Sequence, residues 1–516
     1  MNRREFLKFT AVGLASSAIP AFSFGKKTKK PDIILMMTDD QGWGDVGFNG
    51  NTEISTPNLD GICSEGANLY HFFSGGPVCS PTRGTCLSGR HYFRYGIWQA
   101  NSGRLPRQEY TLPQGLKDVG YQTGHFGKWH LGSPHPEYTG KGGGGSDQHL
   151  ARPEWFGYDK YFVTHHSVKT WNPYGPDGSE IDSTDNPYWE DGKRVSERLT
   201  GDDSRIIMDR AIPFIEEAVK EQKPFFSVIW SHTPHGPLEA GPEYAKIYEA
   251  KGLDKGKVKY YGSITALDDQ VGRLKKKLKE LDQWDNTILW FCSDNGPAHD
   301  VRNGGYGSTG GMRGKKSYLF NGGVCVPAFL YWKGKVEAGS TIKTPMSTLD
   351  FLPTLFEATG AKMPDARPVD GENVLNIVSQ KTNERKKPIP FRHKKLTAPC
   401  LALIDDKYKY YTNFDTDQPV GDLLYDIFAD RAEEKNLIDK KPETAQKMRA
   451  YALEFLKSCE KSHSGLDYPK NSGYAPIGSF QDMANIPWDP NQKKKKKSGN
   501  KKQKKIKKRQ KKTKKS

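Results

Sequence analysis

Asp32-Ile33-Ile34-Leu35-Met36-Met37-Thr38 is followed at once by Asp39-Asp40, then by Gly42-Trp43-Gly44-Asp45. A run this apolar, without alternation, fits a strand covered on both faces. Open α/β sheets place their ligands beyond the carboxyl ends of such strands, so the two aspartates fall where a site is built. Thr287-Ile288-Leu289-Trp290-Phe291-Cys292 repeats the arrangement and ends in Ser293-Asp294-Asn295-Gly296. A third buried run, Phe225-Phe226-Ser227-Val228-Ile229-Trp230, leads into Ser231-His232-Thr233-Pro234-His235-Gly236-Pro237.

Helical patterns separate these runs. Residues 203–220 carry Ile207, Ala211, Phe214, Ile215 and Ala218 at helical spacing, with Pro213 as a point of kinking. Residues 260–281 and 347–360 predict two more helices, the latter ending at glycine. From about residue 365 the pattern changes. Leu401-Ala402-Leu403-Ile404, Lys407-Tyr408-Lys409-Tyr410-Tyr411 and Leu423-Leu424-Tyr425-Asp426 read as short strands, followed by a helix over 442–457. The expected class is α/β: a mostly parallel, doubly wound sheet sandwiched by helices, with a smaller C-terminal antiparallel sheet plus helix.

Asp39, Asp40, Asp294 and Asn295 offer only oxygen donors, which favours a hard cation, calcium before magnesium. Seen singly, Asp-Asp or Asp-Asn-Gly after a strand is turn chemistry. Two further runs change the weighting. Cys79-Ser80-Pro81-Thr82-Arg83-Gly84-Thr85-Cys86-Leu87-Ser88-Gly89-Arg90 ties a cysteine to proline and arginine at fixed offsets. Pro81 at a first helical position would preset the turn, leaving free amides at the helix start to face an anion. Gly120-Tyr121-Gln122-Thr123-Gly124-His125-Phe126-Gly127-Lys128-Trp129-His130 places Lys128 and His130 on one side of an extended strand.

These runs resemble the two signatures of the type I sulfatase family, and the resemblance extends from about residue 31 to 461. It implies the alkaline-phosphatase-like α/β sandwich and conversion of Cys79 to Cα-formylglycine (3-oxoalanine) by a formylglycine-generating maturase. It also implies one Ca2+ held by Asp39, Asp40, Asp294, Asn295 and the modified Cys79. The hydrated aldehyde is the nucleophile in that family, with Arg83 steadying its oxygen. Met312-Arg313-Gly314-Lys315-Lys316-Ser317 through Asn321-Gly322-Gly323-Val324-Cys325-Val326-Pro327 resembles the family's R-G-x-K-x-x-x-x-E-G-G-x-R-x-P segment. Lys316 then joins Lys128 in binding sulfate, with Lys315 as the alternative. Asn321 and Cys325 depart from the usual glutamate and arginine and are expected to support the loop. Asp294 would take the diol proton, His235 would protonate the leaving alcohol, and His130 would deprotonate the second hydroxyl. His232 is the weaker histidine, a loop or supporting residue.

The chain has 516 residues, with 35% hydrophobic and 11% aromatic side chains, enough to bury a large core. Its formal charge of +17 is local: residues 493–516 hold fifteen lysines and Arg509 without one acid, leaving about +1 for the rest. A like-charge block of this kind is expected to be disordered and able to contact polyanions through salt-sensitive attraction. Lacking interleaved aromatics, it predicts no sequence-specific nucleic-acid binding. Asn2-Arg3-Arg4-Glu5-Phe6-Leu7-Lys8 and the apolar stretch after it resemble a twin-arginine signal. That implies the twin-arginine export machinery as a partner and a periplasmic or extracellular destination. No stretch reaches the roughly eighteen apolar residues of a membrane span. The seven cysteines lack C-x-x-C spacing, so zinc and thioredoxin-like chemistry find no support. The expected organisation is a signal over 1–24, a catalytic domain over 31–362, a smaller subdomain over 363–480 and the Lys tail over 491–516.

Residues 133–187 insert four glycines (142–145) and then Trp155, Phe156, Tyr158, His165, His166, Lys169, Trp171 and Tyr174. Such side chains either stack and pair with a sulfated sugar or anchor the loop. His166 and Trp171 are the named substrate-binding candidates. Lys169-Thr170-Trp171-Asn172-Pro173 with Gly201-Asp202-Asp203-Ser204-Arg205 is similar to bacterial sulfatases of the N-acetylgalactosamine-6-sulfatase type. The expected substrate is therefore a sulfated saccharide, galactose or galactosamine sulfates first. A phosphonate monoester or phosphodiester hydrolase of the same superfamily and a non-catalytic polyanion-binding protein are the competing readings.

Overall fold

The computed structural model describes residues 29–140, 149–173, 186–299, 305–393, 401–412, 421–477 and 480. The segment expected to be a signal (1–24), glycines 142–145, Tyr174 and the Lys tail lie outside the described residues. The chain divides into two units, 1–30 and 31–516, and of the first only Lys29 and Lys30 are described.

In chain order the strands are β1 (Asp32–Thr38), β2 (Ala67–Leu69), β3 (Phe72–Phe73), β4 (Gln122–Lys128), β5 (Lys160–Thr164), β6 (Trp189–Glu190), β7 (Lys193–Arg194) and β8 (Phe225–Trp230). They continue as β9 (Thr287–Ser293), β10 (Ala328–Trp332), β11 (Ser340–Ile342), β12 (Met346–Ser347), β13 (Ile389–Arg392), β14 (Leu401–Asp405), β15 (Tyr408–Thr412) and β16 (Leu423–Asp426). Ten of them form one sheet in the order β11-β2-β10-β9-β1-β8-β4-β5-β6-β7. All seven residues of β1 are buried. Ile33, Leu35 and Met37 enter the core on one face, Ile34 and Met36 that on the other, as a doubly covered strand requires.

The register decides where the site can be. β1 runs parallel to β9, with Thr38 opposite Ser293, and parallel to β8, with Met37 opposite Trp230. β8 in turn sets Trp230 opposite Gly127 of β4, and β4 sets Lys128 opposite Thr164 of β5. Thr38, Ser293, Ser231, Lys128 and Thr164 therefore lie along one line across the sheet, and the residues that follow them emerge together at its carboxyl edge. Gly127 suits the closest approach of β4 to β8: its φ is +103° and a Cβ there would stand 2.0 Å from the Trp230 carbonyl oxygen.

The sheet is parallel through its centre, β9-β1-β8-β4-β5, and again at one edge, where β11 pairs with β2. β10 runs antiparallel to β9 and β2, and β5, β6 and β7 form antiparallel pairs at the far edge. A parallel return needs a long crossover, usually helical. Between β9 and β10 the described residues hold only the four-residue helix Asn321–Val324. β6 and β7 are joined by Asp191-Gly192, both at positive φ, the backbone of a tight hairpin turn.

The helix Asp203–Lys220 matches its expected span, with Asp202 capping the Ser204 amide and Ile207, Ala211, Phe214, Ile215 and Ala218 buried. The helix expected over 260–281 runs Lys255–Glu280, because Asp254 accepts from the Gly256 and Lys257 amides and starts it earlier. The 347–360 stretch is a 3-10 turn, Thr348–Asp350, leading into the helix Phe351–Thr359, with Gly360 left-handed at its end. The C-terminal antiparallel sheet has the order β13-β14-β15-β16, accompanied by the helix Pro442–His463, which outruns the expected 442–457. β13 was not foreseen: Pro390 inside it removes a ladder donor, and such a strand is tolerated at a sheet edge.

Candidate active site

At the carboxyl edge, Asp39, Asp40, Cys79 and Asp294 each place one ligand atom within 4.8 Å of the others, all four residues buried. β1 ends in the two aspartates and β9 in Asp294-Asn295, which the parallel register sets side by side. Asp40 turns into the left-handed region at φ 66°, and its amide donates to Asp294 Oδ1 at 3.1 Å. Asn295 Nδ2 donates to Asp40 Oδ1 at 2.7 Å. Gly296 follows because the chain there passes so near the Asn321–Val324 helix that a Cβ would lie 1.9 Å from the Gly322 carbonyl oxygen.

Two oxygens in this cluster, Asp40 Oδ2 and Asn295 Oδ1, are buried without a hydrogen-bond partner among the described residues. Leaving such atoms dry and unmatched costs about 1–3 kcal/mol each. A hard cation bound by all-oxygen donors would satisfy both, so the residues fit the calcium that the sequence implies.

Cys79 opens the helix Cys79–Ser88, every residue of which is buried. The helix begins at Cys79 itself, so Pro81 is its third residue rather than its first. The missing N–H still falls in the first turn, where no helical partner exists. Cys79 Sγ lies 3.4 Å from Asp39 Oδ1. Burial, with Asp294 nearby, pushes its thiol up, so the unmodified side chain is not a thiolate. One turn on, Arg83 grips Asp294 Oδ2 through Nε at 3.2 Å and Nη2 at 2.7 Å, reaches the Lys128 carbonyl oxygen at 3.3 Å, and lies over the Trp230 ring.

Two ammonium groups flank the carboxylates. Lys128 Nζ sits 2.6 Å from Asp39 Oδ2 and donates to Ser167 Oγ at 3.0 Å, while Ser167 itself donates to Asp39 Oδ2 at 2.7 Å. Lys316, not Lys315, turns inward: its Nζ is 2.5 Å from Asp40 Oδ1 and 3.4 Å from Cys79 Sγ. Burial opposes the charge on Asp39, yet Lys128, His235, Arg83 and Lys316 hold its carboxyl well below the usual range. Burial pushes Asp40 up against the pull of Lys316. Asp294 is pushed up to about 6 by burial and by Asp39, with Arg83 opposing.

His235 Nδ1 is 2.6 Å from the Gly236 carbonyl oxygen, leaving Nε2 facing Asp40 Oδ2 at 3.6 Å. Burial pushes its proton affinity down to about 3, Lys316 and Lys128 adding to that and Asp39 opposing. His130 does not share the strand with Lys128: β4 ends at Lys128, and His130 stands two residues on at φ 56°. That left-handed turn, not strand alternation, sets its ring. Nε2 is 2.9 Å from Asn101 Oδ1.

His166 lies beside Ser167: its Nδ1 is 3.0 Å from the Ser167 carbonyl oxygen, and Asn186 Nδ2 donates to the His166 carbonyl oxygen at 2.7 Å. Trp171, partly exposed, packs over Gly241 and forms an isolated β-bridge to Asp202. His232 is fully buried between Asp203 Oδ2 and Thr164 Oγ1, each at 2.7 Å. Asn321 ties the Lys316 segment to the C-terminal part of the chain: its amide donates to Glu433 Oε2, beyond β16, at 2.6 Å and its Oδ1 accepts from Lys409 Nζ of β15 at 2.8 Å. Ser167 and Asn101 are the site residues that sequence reading missed. Ser167's only signal is its place just after the strand containing Thr164; Asn101 carries none.

The sulfatase family pattern matches residues 31–361, and the C-terminal pattern of N-sulphoglucosamine sulphohydrolase matches residues 313–458. Mouse N-acetylgalactosamine-6-sulfatase is 30% identical over 72% of this chain and 68% of its own. Mouse arylsulfatase G is 31% identical over 73% of this chain and 75% of its own. The crystal structure of Ps i-CgsB in complex with k-i-k-neocarrahexaose superposes with a TM-score of 0.71 at 26% identity, covering 89% of this chain and 98% of that one.

Proposed function

The chain belongs to the sulfatase family and is a sulfuric ester hydrolase, and from that premise we propose that it desulfates carbohydrates through a formylglycine made from Cys79 and a calcium ion held by Asp39, Asp40, Asp294 and Asn295. The observation that carries this reading is the pair of unmatched oxygens, Asp40 Oδ2 and Asn295 Oδ1, beside a buried cysteine that Lys316 reaches, with Lys128 on the neighbouring Asp39. When present, the aldehyde hydrate supplies the hydroxyl that displaces the alcohol at sulfur and a second that expels sulfate, and calcium supplies a localised positive charge.

The chain's own side chains do the rest. Lys128, Lys316 and Arg83 balance the three carboxylates, so a bound divalent ion leaves an excess of positive charge that suits a sulfate ester. Preorganised charge of this kind is usually the largest catalytic term. Because His235 Nδ1 is tied to Gly236, its proton is delivered from Nε2 to the departing alcohol oxygen. A sulfate between the two lysines screens the charges that depress His235 and so eases its protonation. Arg83 fixes Asp294 through two hydrogen bonds to Oδ2, which orients the carboxylate to share a hydroxyl proton. The S–O bond breaks and the alcohol keeps its oxygen.

The sulfated sugar is supported by the relatives' names: one is an N-acetylgalactosamine-6-sulfatase and one was solved in complex with k-i-k-neocarrahexaose. Galactose and galactosamine sulfates are the first substrates to assay. Export by the twin-arginine machinery and contact of the Lys tail with polyanions rest on residues 1–24 and 493–516. The test is the mass of the Cys79 peptide from protein made with a maturase, where conversion removes about 18 Da. It is paired with turnover of 4-nitrophenyl sulfate in water enriched in 18O. The label is expected in sulfate and not in 4-nitrophenol. Full turnover by Cys79→Ala, or label in the phenol, refutes the mechanism, and a preference for an aryl phosphodiester refutes the substrate class.

A further inference from the structure

His130 stands out among the buried polar side chains because one of its nitrogens is matched and the other is not. Nε2 meets the Asn101 side-chain oxygen at 2.9 Å, whereas Nδ1 is buried without a hydrogen-bond partner among the described residues. The residue is 4% exposed. Burial and the nearby Lys128 push its proton affinity well down, so the ring is neutral and must place its single proton on one nitrogen. An amide oxygen opposite Nε2 selects the tautomer with the proton there.

We propose that Asn101 is a positioning residue that fixes His130 as the Nε2–H tautomer and so confines the ring's lone pair to Nδ1. The inference rests on the reading of His130 as the base. A proton taken from a hydroxyl then arrives at Nδ1, and the imidazolium keeps its Nε2–H on Asn101 throughout. With the opposite tautomer, Nδ1 would carry a hydrogen and could accept nothing.

The surrounding backbone holds the pair together from both sides. Asn101 and His130 are both left-handed, at φ 57° and 56°. Neither residue is β-branched, and asparagine and histidine tolerate this region better than most. The His130 amide donates to the His165 carbonyl oxygen at 2.8 Å, anchoring the ring's segment to the end of β5. The loop bearing Asn101 is closed by Ser102 N to Gln99 O at 3.2 Å, and Leu105 N donates to Leu131 O at 2.8 Å, one residue beyond His130. The 2.9 Å contact is therefore a product of two loops tied to each other, not of a free side chain.

An ordinary explanation for asparagine at position 101 is its tolerance of a left-handed turn, and Asn101→Gly separates the two roles. Glycine keeps the turn and removes the amide. On matured full-length enzyme with 4-nitrophenyl sulfate, Asn101→Gly is expected to lose ~10–100-fold in kcat with KM changed less than ~3-fold, as loss of a proton-transfer arrangement predicts. Asn101→Asp retains an acceptor oxygen, so it should keep kcat within ~10-fold and move the acidic limb of the kcat–pH profile upward by stabilising the imidazolium. The tautomer is read directly by long-range 1H–15N correlation on histidine-labelled protein, with His130→Gln identifying the signal. A proton on Nε2 in the wild type, lost as the dominant form in Asn101→Gly, is the expected result. A proton on Nδ1 in the wild type, or wild-type kcat in Asn101→Gly, overturns the proposal. The NMR arm needs no substrate, so it decides the question even if the sulfatase mechanism fails.

Discussion

Calcium binding is separable from turnover and can be measured on protein whose position 79 carries no thiol. In a Cys79→Ser variant the remaining donors are Asp39, Asp40, Asp294 and Asn295, with Asp40 Oδ2 and Asn295 Oδ1 unmatched in the absence of a cation. A ligand that binds only the folded state stabilises it by about 2.7 kcal/mol at one hundred times its Kd. Unfolding entropy near 2.1 cal/mol/K per residue gives about 0.9 kcal/mol/K for a body of about 450 residues. The transition should therefore rise by about 3 °C between EDTA and that calcium concentration, by scanning calorimetry at fixed scan rate and ionic strength. Asn295→Ala removes one donor and its hydrogen bonds to Asp40 and Gly296. It should lower the EDTA transition by about 1–2 °C, for about 1–2 kcal/mol of lost hydrogen bonding. It should also move the half-maximal calcium concentration upward. Magnesium should act more weakly, because it sheds water reluctantly and demands stricter geometry. No calcium shift up to millimolar concentration, an unaltered titration in Asn295→Ala, or a larger shift from zinc than from calcium would each refute the metal assignment.

Lys128→Met and Lys316→Met should each lower kcat/KM for 4-nitrophenyl sulfate by ~10²–10³, the usual cost of removing one preorganised charge, in steady-state assays of matured enzyme. A smaller loss for Lys316→Met than for Lys315→Met would reverse the assignment of the sulfate-binding lysine. Lys409→Met should destabilise the fold by about 3–5 kcal/mol in urea, because it strands the buried Glu433 carboxylate that also accepts from Tyr411 and the Asn321 amide. Adding Glu433→Gln to that variant should recover part of the loss. His71, stacked on Phe428 and joined by Nδ1 to the Lys343 carbonyl oxygen, is pushed down to about 4 by burial. The unfolded chain then binds the extra proton, so stability present above pH 6.5 is lost as pH falls toward 4. That amounts to about 2 kcal/mol between pH 7 and 5. His71→Phe should remove that component from the pH dependence of urea unfolding; an unchanged slope refutes it.

What could be read from the sequence, and what could not, divides along a physical line. β1, β8 and β9 declared themselves because burial on both faces demands an unbroken apolar run, and parallel pairing then brings their carboxyl ends level without further information. That is why Asp39, Asp40, Asp294 and Asn295 meet as expected. β13 was hidden by Pro390, and the antiparallel flanks by the lack of any sequence mark for strand direction. The contacts of Ser167 with Lys128 and Asp39 and of Asn101 with His130 were invisible for another reason. They join loops whose mutual position depends on hydrogen bonds between distant parts of the chain, such as Leu105 to Leu131. Asn321 and Cys325 show the same principle in reverse. The sequence marked them as departures from the family pattern, with a glutamate and an arginine missing. The structure places Lys409 and Glu433, 88 and 112 residues downstream, on the Asn321 side chain and amide. A cation and a carboxylate are thus present beside the segment that carries Lys316, the first from β15 and the second from the stretch after β16. The charge pair is kept as a feature of the folded space around the loop, and substitutions in β15 should therefore act on a segment of the site that the local motif alone would assign to residues 312–327.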